Sequence, residues 1–152
     1  MKIIIGSDHA GFPLKADIVA HIESLGHEVT DIGCHGTDPV DFPDIARELT
    51  DGILSGAADR GVMVCGTGVG AAIAANKRAG IRAAVGHDAH SARQCVEHDD
   101  VNVLCIGAQI VGAWLARDLV ETYLGAEFST SEEFRRRVAK LEDMDRARRD
   151  GA

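Results

Sequence analysis

The sequence predicts an α/β protein in which a parallel β-sheet is covered by helices on both faces. Short β-branched or apolar runs of strand length recur along the chain, and helix-like segments lie between them. Parallel strands need crossover connections, which are usually helices, so this alternation is what such a sheet looks like in sequence. Size agrees: 152 residues, 45% hydrophobic and 26% charged, suit one globular domain with a core large enough to fold without staples.

The first strand is KIIIG (2–6), and a helix follows over about 11–25 with Leu14, Ile18 and Ile22 on one face. HEVTDIG (27–33) is the second strand. The stretch GCHGTDPVDFPD (33–44), rich in glycine, proline and aspartate, reads as a loop at a site rim. A helix over 43–55 leads to the strand GVMVC (61–65), a helix over 69–78 to IRAAVG (81–86), and a helix over 89–98 to NVLCIG (102–107). A further helix covers 111–124. The tail TSEEFRRRVAKLEDMDRARRD opens with a capping-box pattern, Thr130 with Glu133, and predicts a last helix over about 131–149. Its Phe134, Val138, Leu141 and Met144 form an apolar stripe that either packs on its own domain or lies across a second subunit. No repeat, low-complexity tract or linker divides the chain, so a single domain is expected over 1–152.

Composition narrows the function. A formal net charge of −8 disfavours a broad nucleic-acid footprint, so an anionic ligand would need a local positive pocket. The opening MKIIIGSDHAG is too short in apolar length for a signal sequence or a membrane span, and a cytoplasmic protein with no membrane partner is expected. Cys34, Cys65, Cys95 and Cys105 show no C-x-x-C pairing and read as reduced thiols.

In GVMVCGTGVGAAIAANK a buried strand runs into a glycine turn and then an alanine-rich helix. Backbone amides at such a turn face a phosphate, a carboxylate or a developing oxyanion. GTGVGA satisfies a short dinucleotide pattern, with Asp88 placed after the next strand as a ribose-binding acid. A P-loop fails for want of G-K-[ST]. A cysteine phosphatase fails because Ala71 stands where its arginine belongs. In the remaining chemical reading, Cys65 is a base beside an oxyanion hole, its thiolate favoured at the helix start, as proton abstraction next to a carbonyl requires. The bland alternative makes Cys65 a small buried hydrophobe ending a strand.

Other stretches add to this. SDHAG (7–11) puts Asp8 and His9 after the first strand, and EHDDVN (97–102) puts His98 just before another. Together with the DFPD loop, CGTGVG followed by IAANK and GIRAA, then NVLCIGA and VG, they resemble the ribose-5-phosphate isomerase B and galactose-6-phosphate isomerase family, over residues 1 to about 125. The resemblance implies a flavodoxin-like (Rossmann-like) fold and aldose–ketose isomerisation through a cis-enediolate, without metal or other cofactor. It also implies a homodimer, alone or paired into a tetramer, whose sites are each built from two subunits. That makes the last helix a dimer contact.

By the same resemblance, Cys65 moves the proton between C1 and C2, and the amides of Gly66, Thr67, Gly68, Val69, Gly70 and Ala71 hold the enediolate oxygen. Thr67 assists at the sugar oxygens, Asp8 holds a hydroxyl, and His9 lies toward the phosphate. His98 opens the furanose ring, a task suited to a group titrating near neutral pH. As simpler alternatives, Asp8 or His9 is a helix cap and His98 a surface histidine. His87 and His90, with Asp88, read as surface-loop residues rather than metal ligands. His21, His27 and His35 read as solvent-facing.

The phosphate end departs from the family. Asp99 replaces the usual asparagine, Gln109 a common arginine, and Glu133 the first arginine of an i, i+4 pair whose second is Arg137; Phe42 replaces a tyrosine. Three of these changes make the pocket about four charge units more negative, against what a phosphate wants. Arg136 with Lys140 offers another i, i+4 clamp. Ribose 5-phosphate is therefore the default substrate, with another sugar phosphate or an unphosphorylated aldose as the alternative. A non-catalytic nucleotide-binding module is the reading from a different class.

Overall fold

The computed structural model describes residues 1–150, with side chains through residue 147; the expected domain end at 152 lies outside the described residues. The strands are β1 (Lys2–Ser7), β2 (Glu28–Asp31), β3 (Arg60–Cys65), β4 (Ala83–Val85) and β5 (Val103–Gly107). The helices are α1 (Phe12–Ser24), α2 (Phe42–Leu54), α3 (Val69–Ala75), α4 (Ala89–Asp99), α5 (Ala113–Gly125) and α6 (Glu132–Asp150). The strands form one parallel sheet in the order β2-β1-β3-β5-β4. The predicted α/β class is the one observed, flavodoxin-like except that β5 lies between β3 and β4.

Alternate residues of the central strands feed two cores, because successive side chains of a strand point to opposite faces. Ile3, Ile5, Val62, Val64, Leu104 and Ile106 pack with α1, α4 and α5. Ile4, Met63, Cys65, Val103 and Cys105 pack with α2 and α3. In α1 the predicted stripe of Leu14, Ile18 and Ile22 is buried, and a proline in the first turn presets the helix start. The two edge strands are shorter than expected.

The chain moves from β1 outward to β2, then crosses back to β3 on the other side of β1. A crevice therefore opens above the carboxyl ends of β1 and β3, where ligands of such sheets sit.

The tail helix α6 begins at Glu132, later than a Thr130 N-cap requires. It lies against α4 of its own chain: Val138 is buried, the Phe134 ring stacks on His98 with centroids 3.8 Å apart, and Asp145 accepts from the Gly80 amide at 2.7 Å. Leu141 and Met144 line an open cavity of about 390 Å³ together with Ile81 and Cys95. Of the histidines expected to face solvent, His21 is half-buried between α1 and α5, its Nε2 3.3 Å from the Glu121 carboxylate but without a hydrogen bond among the described residues. No described helix is long and apolar enough to cross a membrane.

Candidate active site

Cys65 is the last residue of β3 and pairs in register with Gly107, the last of β5. Its Sγ accepts a hydrogen bond from the Gly68 amide at 3.0 Å. Gly68 has φ +80°, a left-handed turn that glycine adopts without penalty, and this turn aims the amide back at the sulfur. The rest of the loop is held from below. A side-chain carbon on Gly107 would stand 2.7 Å from the Thr67 backbone, and one on Gly68 would stand 3.2 Å from the Cys105 carbonyl oxygen. Close packing of loop on strand end therefore depends on both glycines.

Asp8 follows β1 across the crevice and is buried. One carboxylate oxygen accepts from the Gly11 amide at 2.9 Å, and the Asp8 amide donates to Val64 O at 3.2 Å. Gly11 itself lies so close to β3 that a Cβ there would meet Val64 O at 2.1 Å. The N-cap of α1 is Gly11, so Asp8 orders the turn that enters the helix without being the N-cap residue. His9 accepts from the Val40 amide through Nδ1 at 3.2 Å, which ties it to the rim loop and leaves Nε2 as its proton-bearing nitrogen.

The loop after β5 completes this end. Ala108 N donates to Cys65 O at 2.8 Å and Gln109 N to Gly66 O at 3.0 Å, and the Gln109 amide lies beside Gly66. Phe42, at the start of α2, covers the first turn of α3, its ring 3.0 Å from where a Gly70 Cβ would stand. Cys65, Thr67, the amides from Gly66 to Ala71, Asp8, His9 and Gln109 thus share one rim. Val69 sits on that rim with its side chain half exposed.

His98, Asp99, Arg136 and Arg137 do not join them within the chain. His98 and Asp99 end α4 at the amino end of β5, whereas Cys65 lies at the carboxyl end of β3. The strand span from Gly61 to Cys65 alone separates these levels by roughly 13 Å. His98 instead shares a shallow pocket with Glu97, Phe128, Ser129, Thr130 and Phe134. Arg137 forms an i, i+4 ion pair with Glu133 and lies over the Phe134 ring, while Arg136 and Lys140 are exposed.

The other thiols differ in character. Burial, then the Asp99 charge, pushes the Cys95 thiol up to about 11. Burial, reinforced by Cys65, pushes Cys105 up further. Asp88 is the N-cap of α4, with one oxygen accepting from Ser91 N at 2.8 Å and the other from Ser91 Oγ at 2.5 Å; these bonds hold its carboxyl below the usual range. Both oxygens are engaged, which counts against a ribose-binding role. Among the described residues, no group of three or more His, Cys, Asp or Glu is gathered as metal ligands.

His87 is where sequence reasoning fell short. Expected on a surface loop, it is partly buried and its Nε2 accepts from the Gly107 amide at 3.0 Å. Only its position, directly after a glycine at a strand end and before an N-cap aspartate, hinted at this.

Comparison with known proteins agrees with the fold. The sequence profile of the ribose/galactose isomerase family matches residues 3–141. The ribose-5-phosphate isomerase B of Escherichia coli is 45% identical over 127 residues, which cover 84% of this chain and 85% of that protein. The D-erythrulose-4-phosphate isomerase 2 of Mycolicibacterium smegmatis is 42% identical over 131 residues, 84% of this chain and 86% of that one. The structure of Clostridium thermocellum ribose-5-phosphate isomerase B superposes with a TM-score of 0.94 at 45% identity, over 97% of this chain and 99% of that one. The chain belongs to the ribose/galactose isomerase family, as an aldose–ketose isomerase of the ribose-5-phosphate isomerase B type.

Proposed function

We propose that the chain interconverts a sugar phosphate aldose and its ketose through a cis-enediolate, with ribose 5-phosphate and ribulose 5-phosphate as the default pair. The observation that supports this best is the Cys65 sulfur set against the Gly68 amide at the carboxyl end of β3, beside the start of α3. In the forward direction Cys65 takes the proton from C2, and the C2–H electrons form the C1=C2 bond. O1 gathers the negative charge under the amides of the Gly66–Ala71 loop. Return of that proton to C1, with transfer of the O2 proton to O1, yields the ketose. Fixed donors at the developing oxyanion are worth about 3 kcal/mol each in other enzymes, so loop and base matter comparably.

Thr67 serves the sugar oxygens, Asp8 holds a hydroxyl through its second oxygen, and His9 faces the phosphate end. His98 opens the ring from a second subunit, since its own chain holds it at the far end of the sheet. A homodimer acting without metal or other cofactor, in the cytoplasm and within pentose phosphate metabolism, follows as part of this reading. Arg136, Arg137 and Lys140 would supply the phosphate contacts from that subunit's α6.

A second reading keeps the chemistry and changes the sugar. The Glu133 carboxylate already neutralises Arg137, Asp99 adds charge beside His98, and Gln109 occupies the rim next to Gly66. A smaller sugar phosphate such as erythrulose 4-phosphate, or an unphosphorylated aldose, fits that weaker clamp. Steady-state kinetics with metal chelated, on ribose 5-phosphate, erythrulose 4-phosphate, ribose and allose, separates the two. Preference for ribose 5-phosphate supports the default, and preference for another sugar overturns it. Loss of activity on chelation would remove the metal-free mechanism.

A further inference from the structure

We propose that His87 is a positioning residue for the isomerisation, its imidazole taking the place of a missing rung of the β-sheet beneath the Cys65 loop. The inference rests on the assignment of Cys65 and its loop amides as the reacting centre.

The β4–β5 ladder runs in register through Val85 and Cys105, and its last backbone bond is Gly86 N to Cys105 O at 3.1 Å. In a parallel ladder the next rung would carry the Gly107 amide to the carbonyl of Gly86. The chain turns away there to begin α4 at the Asp88 cap, and the acceptor that Gly107 receives is His87 Nε2, at 3.0 Å. Gly107 is buried, so an unmet N–H there would be costly, and the side chain satisfies it.

Gly107 is also the point on which the reacting end of the sheet rests. It pairs with Cys65 on the other side, and its Cα leaves just enough room for the Thr67 backbone. Its carbonyl accepts from Ile110 N and Val111 N, both at 3.0 Å, closing the turn whose Ala108 and Gln109 amides hold the Cys65 and Gly66 carbonyls. One side-chain bond therefore fixes the strand end against which both the glycine loop and the Gln109 turn are seated. His87 touches no substrate in this arrangement. To accept from Gly107 its Nε2 must be unprotonated, so the ring carries its proton on Nδ1.

Three measurements test this together, with ribose 5-phosphate and erythrulose 4-phosphate as probes. His87→Ala should lower kcat about tenfold or more with KM changed less than about twofold, because a small misplacement of the amides harms the transition state more than binding. His87→Gln, whose amide oxygen reaches the same place, should recover kcat to within about threefold of the parent. Should His87→Ala not fold, His87→Asn serves instead, keeping the amide but stopping one carbon short. Long-range proton–nitrogen NMR on the unmutated protein should show the Nδ1–H tautomer.

Unchanged kcat in His87→Ala or His87→Asn overturns the proposal, as does His87→Gln no better than either, or an Nε2–H tautomer. Cys65→Ala is assayed alongside: an active Cys65→Ala overturns the site assignment itself. An inactive Cys65→Ala with an unaffected His87→Ala sinks this inference alone.

Discussion

Tyr123 sets burial against polarity more sharply than other residues of the core. Its side chain is fully buried, its hydroxyl has no hydrogen-bond partner among the described residues, and burial raises its pKa well above the usual phenol value. A buried hydroxyl without a partner costs about 1–3 kcal/mol. The ring earns its place by packing, with the Arg60 guanidinium 5.2 Å from its centroid. Tyr123→Phe keeps ring and cation–π contact, so it should raise stability by up to about 1 kcal/mol, seen as a melting point about 2–4 °C higher. A loss of more than about 1 kcal/mol would show that the hydroxyl is satisfied in solution. At this scale the position of Cys65, ending a strand before a glycine turn, was legible because cysteine and glycine loop are neighbours in the chain. It told little about His87 or Tyr123, whose partners Gly107 and Arg60 are distant in sequence.

At the scale of elements, the interest lies in how α5 ends. Its cap residue Ala126 is extended, not a left-handed glycine, so the usual turn that satisfies final carbonyls is absent. Arg60 at the start of β3 does that work instead, donating to Tyr123 O at 2.6 Å and to Ala126 O at 2.8 Å. Arg60→Ala should destabilise the protein by about 2–3 kcal/mol, and Arg60→Lys should restore only part, lacking the fork that reaches both carbonyls. Urea unfolding with an unchanged slope checks this, and a loss below about 0.5 kcal/mol would discount the cap. Element identities were legible because the β-branched runs and the i, i+4 apolar positions are local patterns. Their limits were less so. The run IRAAVG shortens to Ala83–Val85 because Arg82 N donates to the Asn102 side chain and Ile81 N closes a turn on Arg78. The insertion of β5 between β3 and β4 was not legible, since it is decided by pairings between distant strands.

The whole molecule poses the question that one chain leaves open. Asp8, His9, Cys65, Thr67 and Gln109 lie at the carboxyl end of the sheet; His98, Asp99 and Arg137 lie toward its other end, with the His98 ring packed against Phe134 of α6. If His98 opens the ring of the sugar that Cys65 deprotonates, as we propose, it comes from a second copy, facing the first across a two-fold axis. Exposed Val69 and Ile73 of α3 and Ile110 after β5 would give such a copy an apolar surface to cover. A two-fold interface is self-complementary, so every dimer carries two such composite sites. The consequence is countable. Cys65→Ala and His98→Asn homodimers should each be nearly inactive on ribose 5-phosphate. If subunits exchange freely in an equal mixture, about half the dimers are hybrids, each with one site lacking both substitutions and one carrying both. The mixture should therefore recover about a quarter of the parent activity. Sites contained within one chain predict no recovery, because every chain is damaged. Recovery without subunit exchange, tested by light scattering and by tagged chains, would point instead to residual activity in one parent variant.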